Sequence, residues 1–213
     1  IARIPAACVV LTALLALGAS TLHLGRPMYA FRALSMWRRS WLSREVLFFS
    51  LFANAAIVYA GLLWIDSRAS LGAGITAAML GLVAVYASAR LYTVVARPTW
   101  NSRHTFLEFY LSGALTGAIA ASLFTPATQT TLAHAAAWAA IALAMQQTAK
   151  FGWLWRSRIF ELRASGELLR FRFFSIFVMR LSGLLALTLV LASFDEHLWA
   201  RILCLAAALG LEL

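Results

Sequence analysis

LGAGITAAMLGLVAVYASARLYTVV, residues 71–95, contains a single charged residue, Arg90. Crossing the hydrocarbon core of a bilayer as a helix takes about 20 apolar residues, and this stretch exceeds that with length to tilt. Gly72, Gly74, Ala77, Ala78 and Gly81 stripe its first half. Small residues in that arrangement let helices approach closely in lipid. A membrane β-barrel would instead show strands of about 10 residues with period-two alternation, and the sequence has none. The stretch therefore predicts a membrane-spanning helix.

The rest of the sequence repeats this pattern. Of its 213 residues, 62% are hydrophobic and 12% charged, against about 25% charged in ordinary globular domains. Six further apolar stretches fall at approximately 4–23, 45–65, 105–124, 130–149, 173–194 and 197–213. The expected fold is an all-α integral membrane protein, a polytopic helical bundle forming a single domain over 1–213, with seven spans. The sequence opens at Ile1 without an initiator Met, and no secretory leader pattern marks its first residues. Further residues are expected beyond both ends.

Alternating spans divide the loops between two faces. Loops 24–44, 97–104 and 150–172 share face A; loops 66–69, 125–129 and 195–196 share face B. Face A then holds Arg26, Arg32, Arg38, Arg39, Arg44, Arg97, Arg103, Lys150, Arg156, Arg158, Arg163, Arg170 and Arg172, while Arg3, Arg68 and Arg201 lie near B. Thirteen cations against three place face A in the cytoplasm by the positive-inside rule, in a multi-pass protein of the inner (cytoplasmic) membrane. The net charge of +10 is mostly this asymmetry. It suits anionic lipid contact and docking of a peripheral subunit; no nucleic-acid binding motif accompanies it.

Ionisable residues inside the spans gather near the same face. His23 closes the first span, Glu45 opens the second, Arg90 lies late in the third, Glu108 begins the fourth, and Glu212 lies near the end of the last. Arg180 sits eight residues into the sixth span, roughly 12 Å deep at 1.5 Å per residue. Two readings compete: a polar pocket able to handle protons, or interhelical salt bridges and interface anchors. Trp37, Trp41 and Trp100 suit an interfacial aromatic belt. Cys8 and Cys204 stand singly in apolar spans and read as small core residues. The four histidines raise a haem-b cytochrome as a rival, since His23 and His104 lie toward A and His134 and His197 toward B. No span carries two well-buried histidines. A transporter is the other rival, but neither an internal repeat nor midplane charges support it. Cysteine ligands for iron–sulfur chemistry are absent from the sequence.

Two motifs carry a family resemblance. His23-Leu-Gly-Arg-Pro-Met-Tyr-Ala-Phe-Arg-Ala-Leu34, followed by Ser40-Trp-Leu-Ser-Arg-Glu45, resembles the H-L-G-x-P-x-x-A and S-x-L-S-x-E stretches of the membrane-anchor subunit of dimethyl sulfoxide reductase. Tyr92 followed by Pro98-Thr-Trp-Asn-Ser102 resembles a second family segment. The resemblance implies an eight-helix anchor whose first helix would precede Ile1. It implies a quinone (menaquinone or ubiquinone) as redox partner, no haem, and two partner subunits: an iron–sulfur electron-transfer protein and a molybdopterin catalytic protein. A sulfite-oxidising branch of the family fits equally well. The family's quinone-linked histidine and glutamate fall on His23 and Glu45. Arg90, Arg180 and Glu212 are expected to join them in quinone binding and proton transfer, and Arg26, Arg38, Arg39 and Arg44 in partner docking. No catalytic molybdenum site and no metal ligands are expected in this protein.

Overall fold

The computed structural model describes residues 3–22, 32, 34–125, 128–193 and 198–212. Among the described residues the regular elements are helices: α1 (Arg3–Leu22), α2 (Trp41–Trp64), α3 (Ser70–Tyr92), α4 (Arg103–Ser122), α5 (Gln129–Arg156), α6 (Phe160–Phe171), α7 (Phe174–Ala192) and α8 (Leu198–Glu212). Each of the seven expected apolar stretches falls on a helix. Among the described residues four helices are long and apolar enough to cross a membrane on length and composition alone: Arg3–Ser20 of α1, then α2, α3 and α7. α4 and α5 have 20 and 28 residues, enough length to span, but polar side chains dilute their apolar content. The protein forms two compact units, Ile1–Tyr92 and Thr93–Leu213.

In the first unit, Ser40 sets the start of α2. Its Oγ accepts a hydrogen bond from the Ser43 N–H at 3.4 Å, satisfying a donor that the helix itself leaves open. The helix thus begins four residues before the apolar run does, and Glu45 lies inside its second turn instead of at its mouth. Asp66 ends the α2 turn with φ 51°, a conformation that short polar side chains tolerate better than most. Its carboxylate takes Arg3 Nη2 at 2.6 Å, and Arg3 Nε donates to the Leu63 carbonyl at 3.1 Å. Arg3 so ties the start of α1 to the end of α2.

Helices α2 and α3 pack through the small-residue stripe. A Cβ on Gly74 would come within 2.9 Å of the Tyr59 ring, and one on Gly81 within 3.3 Å of Phe52. Ala77, Ala84 and Ser88 extend that buried face at helical spacing, whereas Gly72 and Ala78 are exposed. The contact stripe therefore follows the helical period, 74-77-81-84-88, and only part of the sequence cluster belongs to it.

The second unit has a continuous apolar core. Leu115 and Ile119 of α4, Ala140 and Leu143 of α5, Leu184 and Leu191 of α7, and Cys204 and Ala208 of α8 meet in it. Cys204 behaves as the small core residue expected. Arg201, only 7% exposed, donates to the Ser122 carbonyl at 2.6 Å, placing a cation on the carbonyl end of α4. The stretch 150–172, expected as a loop, is mostly helix. α5 runs on to Arg156, and α6 packs Leu162 and Gly166 inward. A Cβ on Gly166 would stand 3.2 Å from the backbone of Leu154 and Trp155, so glycine there permits close crossing. The apolar positions of α6 are interleaved with charges, which kept the segment from reading as a span.

Candidate functional site

Glu45 makes a polar contact between two helices of the first unit. Its position in the second turn of α2 brings Oε1 to the Ser88 hydroxyl of α3, which donates to it. Ser88 is buried. A serine hydroxyl rotates freely: it donates to a carboxylate and accepts from a carboxylic acid. The pair therefore serves both protonation states of Glu45.

Aromatic and cationic groups from the same two helices gather on Trp41. The Arg44 guanidinium carbon lies 4.3 Å from the centre of the Trp41 ring, and that of Arg90 lies 5.5 Å from it, both within cation–π range. The Tyr86 ring meets Trp41 edge-on with centroids 6.2 Å apart. Arg44 is also engaged by the turn before α2. Its Nε donates to the Trp37 carbonyl at 2.9 Å and its Nη2 to that of Arg38 at 2.7 Å. It clamps this turn onto the helix. Arg38 and Arg39 are exposed in that turn.

The second unit holds a different cluster. Glu108 of α4 pairs with Lys150 of α5 at 2.7 Å and with Arg180 of α7 at 4.0 Å. With its amide oxygen turned toward α7, Gln147 accepts from Arg180 Nε at 3.1 Å and Nη2 at 3.3 Å. Gln146 donates to the His104 carbonyl at 3.0 Å. Here two cations answer one carboxylate, and the contacts cross-link three helices.

The expected site residues separate accordingly. Glu45 and Arg90 each contact a residue on the other's helix, Ser88 and Trp41 respectively. Arg180 is bound up with Glu108 and Gln147. Glu212 closes α8, and its side chain lies outside the described residues, as do His23 and Arg26. Ser88 was missed because it sits inside the most apolar stretch; its signal was a hydroxyl at the end of the small-residue stripe. Lys150, expected in a loop, lies on α5 with the adjacent amides Gln146 and Gln147, whose signal in the sequence is that they interrupt an apolar run. His104 and His134 lie near the starts of the antiparallel α4 and α5. His104 instead neighbours Trp153, with ring centroids 5.5 Å apart. The 19 residues from His134 to Trp153 correspond to about 28 Å of helix, so these two imidazoles cannot share one iron. Among the described residues no group of three His, Cys, Asp or Glu side chains converges as metal ligands would.

An all-helical, polytopic membrane protein with charged groups gathered at helix ends is the class these features define. Residues 2–157 match the family model of the DMSO reductase anchor subunit (DmsC), and the protein belongs to that family of integral membrane proteins. It is 33% identical over 122 residues to the C subunit of sulfite dehydrogenase from Allochromatium vinosum, covering 51% of this sequence and 38% of that one. It is likewise 33% identical over 114 residues to the C component of anaerobic dimethyl sulfoxide reductase from Haemophilus influenzae, covering 51% and 40%. Against the YnfH component of anaerobic dimethyl sulfoxide reductase from Escherichia coli it is 31% identical over 120 residues, covering 53% and 41%. The aligned stretches thus span about two fifths of these relatives. No solved structure matches the sequence.

Proposed function

We propose that this protein is the quinone-interacting anchor subunit of a multi-subunit respiratory oxidoreductase. In this reading it exchanges electrons between the quinone pool and an iron–sulfur subunit, which in turn serves a molybdopterin catalytic subunit. The observation that carries the reading is the Glu45–Ser88 pair, bridging the same two helices as the Trp41–Arg90 contact. Its glutamate closes the S-x-L-S-x-E motif of the resemblance.

The residues present suit a quinone headgroup. Trp41 and Tyr86 offer ring surfaces, Arg90 offers a cation, and Glu45 offers a carboxyl whose partner accommodates gain or loss of a proton. A bound quinone supplies two-electron, two-proton redox chemistry. His23 holds and exchanges a proton at a quinone oxygen, a task suited to an imidazole with an ordinary pKa of about 6.5. Glu45 passes that proton toward the basic face, which the positive-inside rule orients to the cytoplasm. Arg26, Arg38 and Arg39 contact the iron–sulfur partner, while Arg44 shapes the surface that carries them. Arg180 serves charge pairing in its own unit.

The named relatives include a sulfite dehydrogenase and dimethyl sulfoxide reductases. Quinone exchange is the chemistry common to both directions, and it is the level at which the proposal stands. The test uses the intact complex. His23→Ala and Glu45→Gln should each abolish most quinone-linked turnover while artificial-dye turnover by the catalytic subunit stays at wild type. Unchanged quinone kinetics in both variants would overturn the assignment.

A further inference from the structure

An open groove of about 1040 Å³ runs along α5 beside α7. Its two ends differ chemically. Ile141, Met145, Leu181 and Leu185 line the apolar part, whereas Arg156 and Ser157 stand at the end where α5 gives way to α6. From Ile141 to Arg156 the helix advances about 22 Å at 1.5 Å per residue. One leaflet of a hydrocarbon core is about 15 Å thick, half of about 30 Å. The groove is thus long enough to follow an acyl tail through a leaflet with a guanidinium beyond its end.

α6 locates that end in the membrane interface. It has 12 residues, about 18 Å of helix, too short to cross. Three residues separate it from α5 and two from α7, so it cannot leave the surface where those helices end. Phe160, Ala164, Leu168 and Phe171 recur at helical spacing on the side away from its packed face, with Phe160 and Phe171 80% and 78% exposed. Between Arg156 and Arg172 the sequence holds five arginines against two glutamates. An outward apolar stripe flanked by arginines is the signature of a helix lying in the headgroup layer of an anionic bilayer.

We propose that the α5–α7 groove is a binding site for one anionic phospholipid, its phosphate on Arg156 and Ser157 and an acyl tail along the apolar wall. The charge selects the occupant, because a zwitterionic headgroup offers the arginine-rich corner no net anion. The proposal is independent of the quinone reading. Gly152 provides a way to close the groove: a Cβ there would meet nothing within 4 Å, so Gly152→Leu starts from open space and puts a side chain into the channel.

The intact complex, reconstituted in nanodiscs of phosphatidylglycerol and phosphatidylcholine with matched acyl tails, is released for native mass spectrometry and its retained lipids are counted. Wild type should retain one phosphatidylglycerol at least about tenfold in preference to phosphatidylcholine. Arg156→Gln should bring that ratio near one, and Gly152→Leu should remove the retained lipid, with quinone-linked and dye-linked turnover unchanged in both. Equal retention of the two lipids in wild type overturns the proposal, as does a preference that survives both substitutions. A raised KM for quinone in Gly152→Leu, with lipid retention intact, would assign the groove to a quinone tail. Loss of the catalytic subunits from Gly152→Leu, with lipid retention intact, would make the groove a protein interface.

Discussion

Glu45 and Glu108 are two carboxylates on membrane helices, each one to two turns inside its helix, and their partners give them opposite characters. Glu45 receives a hydrogen bond from a neutral hydroxyl. Glu108 is answered by Lys150 at 2.7 Å and Arg180 at 4.0 Å. A hydroxyl reverses its role as the carboxyl gains or loses a proton; an ammonium has donors only and cannot reverse. The first arrangement suits proton transfer. The second suits holding helices together, because removing one partner leaves a charge that the membrane interior penalises. A charged residue in a span is therefore not by itself a functional site; what faces it decides.

The sharpest way to break this contrast is to neutralise each carboxyl in turn. Glu45→Gln should lower quinone-linked turnover of the complex about 100-fold, the lower range of a lost general acid–base group, while Glu108→Gln should change it less than about threefold, within ordinary structural variation. The reverse ranking, read in steady-state quinol assays against dye-linked controls, would exchange the two roles.

Next comes the locked cluster. Lys150→Met should destabilise the protein by about 1–3 kcal/mol, below the range for a fully buried pair, because Arg180 still faces Glu108. Thermal unfolding in detergent should show this, and Glu108→Leu added to Lys150→Met should restore much of the loss. An additive double-mutant cycle would mean that the pair contributes nothing as a unit.

Ser88→Ala should act more mildly than the loss of Glu45. Removing one donor to a charged acceptor costs about 1.5–3 kcal/mol when buried; with Glu45 half-buried, the lower end, roughly tenfold in quinone-linked kcat, is expected. Ser88→Thr, which keeps the hydroxyl, should recover most of it. Failure of threonine to rescue would make the serine a packing residue.

The smallest effect concerns the turn before α2. Arg44→Lys gives up the fork that reaches two carbonyls, and should cost less than about 1 kcal/mol at this partly exposed site. Its readout is faster proteolysis after Arg38 and Arg39, with quinone kinetics near wild type.

Composition and hydropathy alone determined that this is a helical membrane protein, and approximately where its long helices lie, because burying twenty residues in hydrocarbon leaves little freedom in their chemistry. They also singled out Glu45, Arg90 and Arg180, since an ionisable group in such a run stands out against its surroundings. The quinone-linked role proposed for His23 rests on the motif alone, and His23 lies outside the described residues. Tertiary structure decided what the sequence left open. It put Glu45 against Ser88 and Arg180 against Glu108 and Gln147, and it turned the expected 150–172 loop into the end of α5 and the whole of α6. The physical reason is one of range. Transfer from water to lipid acts on each residue separately and can be summed along a sequence, whereas a hydrogen bond across 43 residues depends on which helix faces pack, and sequence spacing does not encode that.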